Sequence, residues 1–264
     1  MHHYMRNSIE KIEFAIIGGT GVYDVSGLGE TKEREIKTPY GNVRAKIGEN
    51  KGKKIAFLNR HGEGRNLPPH LINYRANIFA LKKIGIKAIL ATNAVGAINT
   101  KMKPGDMVFA SQFIDFTKSR AGTFCGGKSG VAHVDMTEPY CPKLRKQLFN
   151  FAKGLKIPFK KTGTMAVTEG PRFETPAEIK FFGKIGADLV SMTGFPEAAL
   201  AREAGLCYAS VCIVTNFAAG ISRHPLTLDE MTVELRKAKP RLDKLILEIA
   251  NSFNASDDCG RCLN

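Results

Sequence analysis

The chain has 264 residues, of which 43% are hydrophobic, and a formal net charge of +14 at pH 7. This length fits one large α/β domain or two small ones, with enough apolar residues for a buried core. No run approaches the roughly 18 apolar residues of a membrane span, and segment 1–11 has no secretory hydrophobic stretch, so we expect a cytoplasmic protein. Lysines and arginines are scattered, so an anionic small substrate or a lysine-rich surface explains the charge as well as nucleic acid does.

The cysteines include one closely spaced pair, Cys259 and Cys262, at C-x-x-C spacing. The others stand singly, at positions 125, 141, 207 and 212. One pair without a second pair or nearby histidines is half a zinc site at best, so we expect no metal. A disulfide, local or between subunits, and an idle reduced pair both remain open for the short polar tail.

Strand-like and helix-like segments alternate along the chain, which is typical of an α/β fold. We predict strands at 14–17, 43–47, 55–58, 86–92, 107–116, 162–168 and 207–215. We predict helices at 73–84, 144–155, 176–185, 196–204 and 228–253, the last interrupted or kinked at Pro240. No repeat or Pro/Gly/Ser-rich linker divides the chain, so residues 1–264 are predicted to form one domain, with flexible tails at 1–12 and 254–264.

Glycines and polar residues follow several predicted strands. The sequence GGTG at 18–21 follows the first strand, where glycines would let backbone N–H groups approach an anion and Thr20 adds a hydroxyl. Arg60 and His61 follow the strand at 55–58, and small residues at 93–96 follow the central strand. Open α/β sheets place ligand groups at strand ends, so we expect these segments to converge on one pocket. The alternative for Arg60 is a surface salt bridge.

The loop at residues 169–175 lies between a predicted strand and a predicted helix. Its Phe173 offers an aromatic face, and Glu174 offers a carboxylate that can accept a hydrogen bond from the edge of a flat heterocycle. Asn216, after the strand at 207–215, could point its amide into the same pocket. The alternative for the loop alone is a structural turn with a core phenylalanine and a solvated glutamate.

Ordered motifs along nearly the whole chain resemble the trimeric purine nucleoside phosphorylase family, in its 5′-methylthioadenosine phosphorylase branch. They are IIGGTG at 16–21, RHG at 60–62, NYRAN at 73–77, EPYCP at 138–142, EGPRF at 169–173, MT at 192–193 and TN at 215–216. The resemblance implies a single-domain mixed sheet flanked by helices, in a homotrimer or a dimer of trimers with active sites near subunit interfaces. It implies a pentosyltransferase that uses inorganic phosphate to release a free base and a ribose 1-phosphate, without cofactor or metal.

The resemblance also assigns a phosphate site. Its residues are Thr20, Arg60, His61, the backbone of Asn93 and Ala94, and Thr193. In this family the glycosidic bond breaks with positive charge growing on the sugar and negative charge on the departing purine. Bound phosphate would stabilise the first charge and act as the nucleophile.

The nucleoside contacts follow from the same resemblance. Met192 would lie against the ribose, Phe173 would pack on the base, and His133 would reach into the 5′-group pocket of a neighbouring subunit. Asn216, donating toward purine N7, would stabilise the leaving base. The predicted catalytic residues are Asn216, Glu174 and His61, and the predicted substrate-binding residues are Phe173, Glu174, Met192, Asn216, Ala218, Leu228 and His133.

At two positions this chain differs from the adenine-specific enzymes of this branch. Those enzymes carry an aspartate where this chain has Asn216 and a small neutral residue where it has Glu174. A 6-oxopurine has a hydrogen on N1 that can be donated to Glu174, whereas N1 of adenine is an acceptor and would face the carboxylate unpaired. Asn216 alone is ambiguous because its amide can be turned either way. Glu174 therefore predicts rejection of adenine, by roughly 10⁴-fold.

The 5′ side is a separate choice. Leu228 stands near the position of a histidine in inosine-type enzymes, and an apolar wall favours a methylthio group; segments 194–199 and 216–220 also resemble 5′-methylthioinosine phosphorylases. We predict S-methyl-5′-thioinosine as the preferred substrate, with inosine and guanosine as accepted or alternative substrates. Three competing functions stay open: a 5′-methylthioadenosine phosphorylase, a broad purine nucleoside phosphorylase and a basic nucleic-acid-binding protein. Arg65 replaces a frequent histidine, and its role stays open.

Overall fold

The protein is described by a computed structural model that covers residues 11–64, 66–126, 130–222, 227–256, 259–260 and 262. Its strands form one mixed sheet: β1 (Phe14–Gly18), β2 (Lys32–Thr38), β3 (Gly41–Asn50), β4 (Lys53–Asn59), β5 (Ala88–Ala97), β6 (Met107–Phe109), β7 (Gln112–Phe116), β8 (Phe159–Lys160), β9 (Thr164–Thr168), β10 (Leu189–Ser191) and β11 (Cys207–Phe217). Its helices are α1 (Tyr74–Lys83), α2 (Pro142–Gly154), α3 (Pro176–Lys184), α4 (Glu197–Glu203) and α5 (Leu228–Ser252). The predicted α/β fold with a mixed sheet is confirmed.

Helices cover both faces of the sheet, and β1 shows how the sequence specifies this arrangement. Every residue of β1 is buried. Ala15 and Ile17 belong to a hydrophobic cluster that includes buried residues of α1 and α4. Phe14 and Ile16 belong to a second cluster, with buried residues of α2 and α5. A strand covered on both faces needs a continuous apolar run, and FAII supplies it.

The centre of the sheet is β5, whose two edges have different neighbours. Along one edge, β11 runs parallel to β5 over its whole length. On the other edge, β1 pairs with β5 as far as Ala91, and β10 pairs antiparallel to it at Gly96 and Ala97. Residues 92–95 therefore lie where one strand has left this edge and the next has not yet joined. Backbone groups there must find partners other than a strand.

Strand boundaries differ from the prediction at two places. β5 continues to Ala97 instead of ending at Thr92, because β11 and β10 keep pairing with it. Residues 107–116 form two strands: β6 pairs with β11, whereas β7 pairs with β9 at an edge of the sheet. The chain crosses between them at Ala110 and Ser111. The segment MVFASQFIDF contains no glycine or proline at the crossing, so the sequence gives no sign that the chain changes partners there.

Other differences have local causes. β2 was not predicted because it is an outer strand of sequence KEREIKT in which only Ile36 is buried. α5 runs through Pro240 without interruption; Pro240 is exposed, so the missing N–H bond lies on the solvent side.

Ile12 and Cys262 are buried, so the packed part of the chain extends further at these points than the predicted tails allow. None of the described helices has the length and apolar character needed to cross a membrane; the cytoplasmic location stays a prediction.

Candidate active site

One cleft brings together most of the residues predicted from the sequence. It lies beside the open edge of β5, includes Val95, and encloses about 660 Å³ that is partly open to solvent, within the size range of small-molecule sites. The predicted site residues that line it are Thr20, Arg60, His61, Ala94, Phe173, Glu174, Met192, Thr193, Asn216 and Ala218. The expected convergence of the strand ends therefore occurs in the folded chain.

Three predicted residues are not part of the cleft lining. Asn93 is buried behind it. His133 is exposed between β7 and α2, so its role in a neighbouring subunit stays a prediction. Leu228 is 71% exposed in the first turn of α5, so the apolar wall predicted there does not form within one chain; Met231, one turn further along the helix, lines the cleft instead. Arg65 lies outside the described residues.

Arg60 is held by a buried ion pair. Its Nε and one terminal nitrogen donate to the two carboxylate oxygens of Glu197 at 2.6 and 2.7 Å, and its other terminal nitrogen donates to the Thr92 carbonyl at 2.7 Å. Both side chains of the ion pair are inaccessible to solvent. Burial opposes the charge of Arg60, but attraction to Glu197 raises its pKa overall. Three of the five guanidinium N–H groups are thus used, and two are not engaged by these bonds.

Gly19 has a different role from the one predicted. Its backbone N–H donates to the Thr92 hydroxyl at 2.9 Å and is not offered to an anion. A Cβ at this position would stand 2.5 Å from both the Arg60 terminal nitrogen and the Thr92 carbonyl oxygen. Glycine is therefore required because the guanidinium passes directly against the backbone on its way to the open edge of β5.

The His61 ring has a defined tautomer when it is neutral. Its Nδ1 lies 2.8 Å from the Leu67 carbonyl, which can only accept, so Nδ1 carries the hydrogen. Burial lowers the pKa of His61, which favours the neutral ring near neutral pH. In that tautomer Nε2 carries no hydrogen and can accept a hydrogen bond.

Thr193 is oriented by residues behind the cleft. The Ser210 hydroxyl donates to Asn93 Oδ1 at 2.7 Å, which fixes the amide so that its Nδ2 donates to Thr193 Oγ1 at 2.8 Å. Because Thr193 Oγ1 accepts this bond, its own hydrogen is available to a ligand in the cleft. The Asn93 side chain therefore positions Thr193 without touching the ligand space.

Glu174 is a shielded carboxylate. It is 8% exposed, and its Oε1 accepts a 2.6 Å hydrogen bond from the Thr168 hydroxyl at the end of β9. Burial raises the pKa of Glu174, although the bond from Thr168 opposes this. The Thr175 side chain and Glu178 form a reciprocal capping box directly after it, which fixes where α3 begins and so where Glu174 lies.

Asn216 lies at an irregularity in β11. The register with β5 shifts between Val214 and Asn216, and this bulge brings both Thr215 and Asn216 to the cleft. Asn216 Nδ2 donates to the Phe217 carbonyl at 2.9 Å, and Oδ1 accepts from the Thr215 hydroxyl at 2.7 Å. A carbonyl can only accept, so these contacts assign the amide orientation that sequence left ambiguous. One N–H of Nδ2 remains for a ligand.

Arg120 joins the loops on either side of the cleft. Its side chain is 1% exposed. One terminal nitrogen donates to the carbonyls of Met192 and Phe195 at 2.7 and 3.0 Å, and the other donates to those of Thr168 and Glu169 at 3.1 and 2.7 Å. These bonds fix the backbone that carries Met192 relative to the loop that carries Glu174.

Sequence reasoning missed the residues that position the site. Glu197 stands in the apolar run PEAALA, and Tyr208 stands at the start of a doubly buried strand, where its hydroxyl donates to Glu197 at 2.8 Å. A charged or polar group in such a run signals a buried partner, so both were detectable. Arg120 lies in an irregular segment before Ala121 and a glycine, where no pattern distinguishes it from a surface arginine.

Residues 13–251 match the sequence profile of the phosphorylase superfamily. The match covers most of the chain, and the cleft and fold agree with it. The chain therefore belongs to this superfamily, and the resemblance inferred from the motifs is confirmed.

Two relatives and one solved structure show which members of the superfamily this chain is similar to. Over 88% of this chain and 89% of the relative, it is 56% identical to a protein of Thermococcus kodakarensis named "Probable 6-oxopurine nucleoside phosphorylase". It is 50% identical to a Methanopyrus kandleri protein named "Probable S-methyl-5'-thioinosine phosphorylase", over 89% and 90% of the two chains. The solved methylthioadenosine phosphorylase of Schistosoma mansoni in complex with adenine superposes with a TM-score of 0.89 at 34% identity, covering 96% and 95% of the chains.

The buried ion pair predicts unequal effects of two substitutions. Glu197→Gln leaves the Arg60 charge without its counter-ion, and we expect the free energy of unfolding to fall by about 3 to 5 kcal/mol. Tyr208→Phe removes one hydrogen bond but keeps the ion pair, so we expect a loss of about 1 kcal/mol. Chemical denaturation of the variants beside the wild type measures both, and equal losses would contradict the ion pair's role.

Proposed function

We propose that the protein cleaves 6-oxopurine nucleosides by phosphorolysis and prefers S-methyl-5′-thioinosine. The products would be hypoxanthine and S-methyl-5-thioribose 1-phosphate, and inosine and guanosine would be further substrates. The observation that carries the substrate class is the shielded Glu174 carboxylate, which lines the cleft with Phe173. The names of the Thermococcus and Methanopyrus relatives agree with this class.

Glu174 would read the N1 edge of the base. Its Oε1 already accepts from Thr168, and the remaining lone pairs can accept the N1 hydrogen of a 6-oxopurine. Adenine would place the lone pair of N1 against a carboxylate that is largely shielded from water, so N1 would have no hydrogen-bond donor there. A binding site can discriminate by about 10⁴-fold or more against a ligand that leaves its hydrogen-bonding groups unpaired.

Asn216 would stabilise the leaving base. As the glycosidic bond breaks, negative charge spreads onto the purine ring, and the remaining N–H of Asn216 Nδ2 can donate to N7. The bonds to Thr215 and Phe217 hold this donor in place before the reaction, so it needs little reorganisation during the reaction. Phe173 would pack on the face of the same ring.

The phosphate would bind where the donors of separate strand ends meet. Arg60 supplies two N–H groups and Thr193 one hydroxyl hydrogen, with Thr20 on the first loop. Neutral His61 offers Nε2 as an acceptor, which suits the hydroxyl of monohydrogen phosphate. An anion held here would face the sugar carbon on which positive charge develops and would act as the nucleophile.

The 5′ group of the nucleoside would lie against apolar side chains of the cleft. Ala218 and Met231 contribute apolar side chains to the cleft, which suit a methylthio group better than a hydroxyl. We infer a homotrimer, or a dimer of trimers, in which His133 of one chain approaches the 5′ end of the nucleoside in the next. The exposure of His133 outside its own cleft is consistent with this role.

A second candidate is cleavage of S-methyl-5′-thioadenosine. It is favoured by the similarity to the Schistosoma enzyme, whose structure contains adenine. Glu174 opposes it, because N1 of adenine has no hydrogen to donate. Non-catalytic binding of nucleic acid would instead give steeply salt-dependent binding to polynucleotides without base release.

Product analysis separates these functions. The protein is incubated with methylthioinosine, inosine or methylthioadenosine, each with and without inorganic phosphate, and free bases are separated by chromatography. We expect phosphate-dependent release of hypoxanthine, fastest from methylthioinosine. Adenine as the dominant product would contradict the role of Glu174, and base release without phosphate would contradict phosphorolysis.

The role of Glu174 predicts a pH effect on specificity. Burial raises its pKa, so lowering the pH protonates it and turns an acceptor into a donor that can pair with N1 of adenine. We expect the ratio of kcat/KM for methylthioinosine to that for methylthioadenosine to fall as the pH is lowered, beginning above the pH at which an ordinary glutamate becomes protonated. Protonation of His61 affects kcat/KM for both substrates equally, so it does not change their ratio.

Substitution provides the control for that titration. Glu174→Gln can donate at every pH, so its ratio should be at least about tenfold lower than that of the wild type and independent of pH. Glu248→Gln, at a surface carboxylate paired with Lys51, should behave as the wild type. A pH-dependent ratio that persists in Glu174→Gln would assign the titration to another group.

The packing of Gly19 predicts a specific loss of phosphate affinity. In Gly19→Ala the added Cβ displaces the Arg60 guanidinium from the Thr92 carbonyl, so we expect the KM for phosphate to rise about tenfold or more while the KM for nucleoside changes less. Gly154→Ala is the matched control, because no atom lies within 4 Å of its added Cβ. Equal changes in both KM values would indicate general damage to the fold instead.

A further inference from the structure

Four cysteines that are far apart in sequence meet on the side of the molecule remote from the cleft. Cys141 precedes α2, Cys207 begins β11, and Cys259 and Cys262 form the C-x-x-C pair after α5. The expectation of no metal rested on the lack of a second pair, and the fold supplies that pair. β11 separates Cys207 from Asn216 by about 30 Å of extended chain, so this cluster is not part of the cleft.

The four sulfur atoms are arranged closely enough for one metal ion. All of them lie within 4.8 Å of one another, and the Cys207 and Cys259 sulfurs are 3.5 Å apart. A tetrahedral Zn²⁺ with Zn–S bonds of about 2.3 Å requires sulfur separations of about 3.8 Å. Small side-chain rotations would therefore complete the coordination. Cys141, Cys207 and Cys262 are buried and Cys259 is half-buried, so little water competes for the ion.

Backbone groups also favour thiolates at two of these positions. The Cys262 N–H donates to the Cys259 sulfur at 3.0 Å, an N–H···S bond across the C-x-x-C turn. Cys141 occupies the N-cap of α2, where the positive end of the helix dipole favours a thiolate. The thiolate is the form that binds metal.

We propose that Cys141, Cys207, Cys259 and Cys262 bind one structural Zn²⁺. Four sulfur ligands leave no open position, so the ion stabilises the fold and takes no part in the reaction. It ties the start of α2 and the start of β11 to the segment that follows α5. Zn²⁺ binding displaces the thiol protons, so affinity falls as the pH is lowered. The proposal stands independently of the nucleoside chemistry.

Metal content and coordination test the proposal directly. The full chain is purified anaerobically with reductant and excess Zn²⁺, desalted, and measured by mass spectrometry of metals and by zinc-edge X-ray absorption. We expect about one Zn²⁺ per chain with sulfur neighbours at about 2.3 Å. Cys259→Ser and Cys262→Ser should each lose the metal, whereas Cys125→Ser, at a thiol outside the cluster, should retain it.

Two readouts distinguish a metal site from its rivals. Chelation should lower the Tm of the wild type but not of Cys259→Ser, and initial rates of base release at low temperature should be unchanged. In chelator and denaturant without reductant, all six cysteines should react with a thiol reagent. Reaction of only two thiols would show that the cluster exists as two disulfides and would overturn the proposal. Absence of bound zinc, or its retention in Cys259→Ser, would overturn it equally.

Discussion

The site depends on the open edge of β5. β1 leaves this edge at Ala91 and β10 joins it at Gly96, so residues 92–95 can serve neighbours other than a strand. The Thr92 carbonyl accepts from Arg60, the Asn93 amide orients Thr193, and Ala94 lines the cleft. β11 pairs along the opposite edge and places Asn216 level with Gly96. The branching of one central strand therefore brings the proposed phosphate donors and the proposed base donor into the same cleft.

The second requirement is that these groups are held before any ligand arrives. Glu197 fixes the Arg60 guanidinium, Arg120 fixes the loops that carry Met192 and Glu174, and Thr168 holds the Glu174 carboxylate. The side chains of Glu197 and Arg120 are shielded from water, which strengthens their interactions and leaves few alternative arrangements. Preorganised donors and acceptors stabilise developing charge without rearrangement during the reaction, which is what phosphorolysis of a nucleoside requires.

Patterns in the sequence predicted the residues that line the cleft better than the residues that hold them in place. Strand ends and family motifs identified residues such as Arg60, Glu174 and Asn216, because a ligand site needs particular chemical groups at the ends of strands. Arg120 and the orienting role of the Asn93 side chain were missed because these roles depend on which distant carbonyl or hydroxyl lies beside each side chain. Cys141 and Cys207 gave no signal either, since only the folded sheet brings them to the C-x-x-C pair.

The central claim is that a 6-oxopurine is recognised through its N1 hydrogen beside a phosphate held by the strand ends. A crystal structure of the protein with hypoxanthine and inorganic phosphate tests it most directly. We predict a Glu174 carboxylate oxygen at about 2.7 to 3.2 Å from N1 of the base and phosphate oxygens at hydrogen-bonding distance from Arg60 and Thr193. A base bound in the cleft with Glu174 turned to solvent, or phosphate bound away from Arg60, would contradict the account.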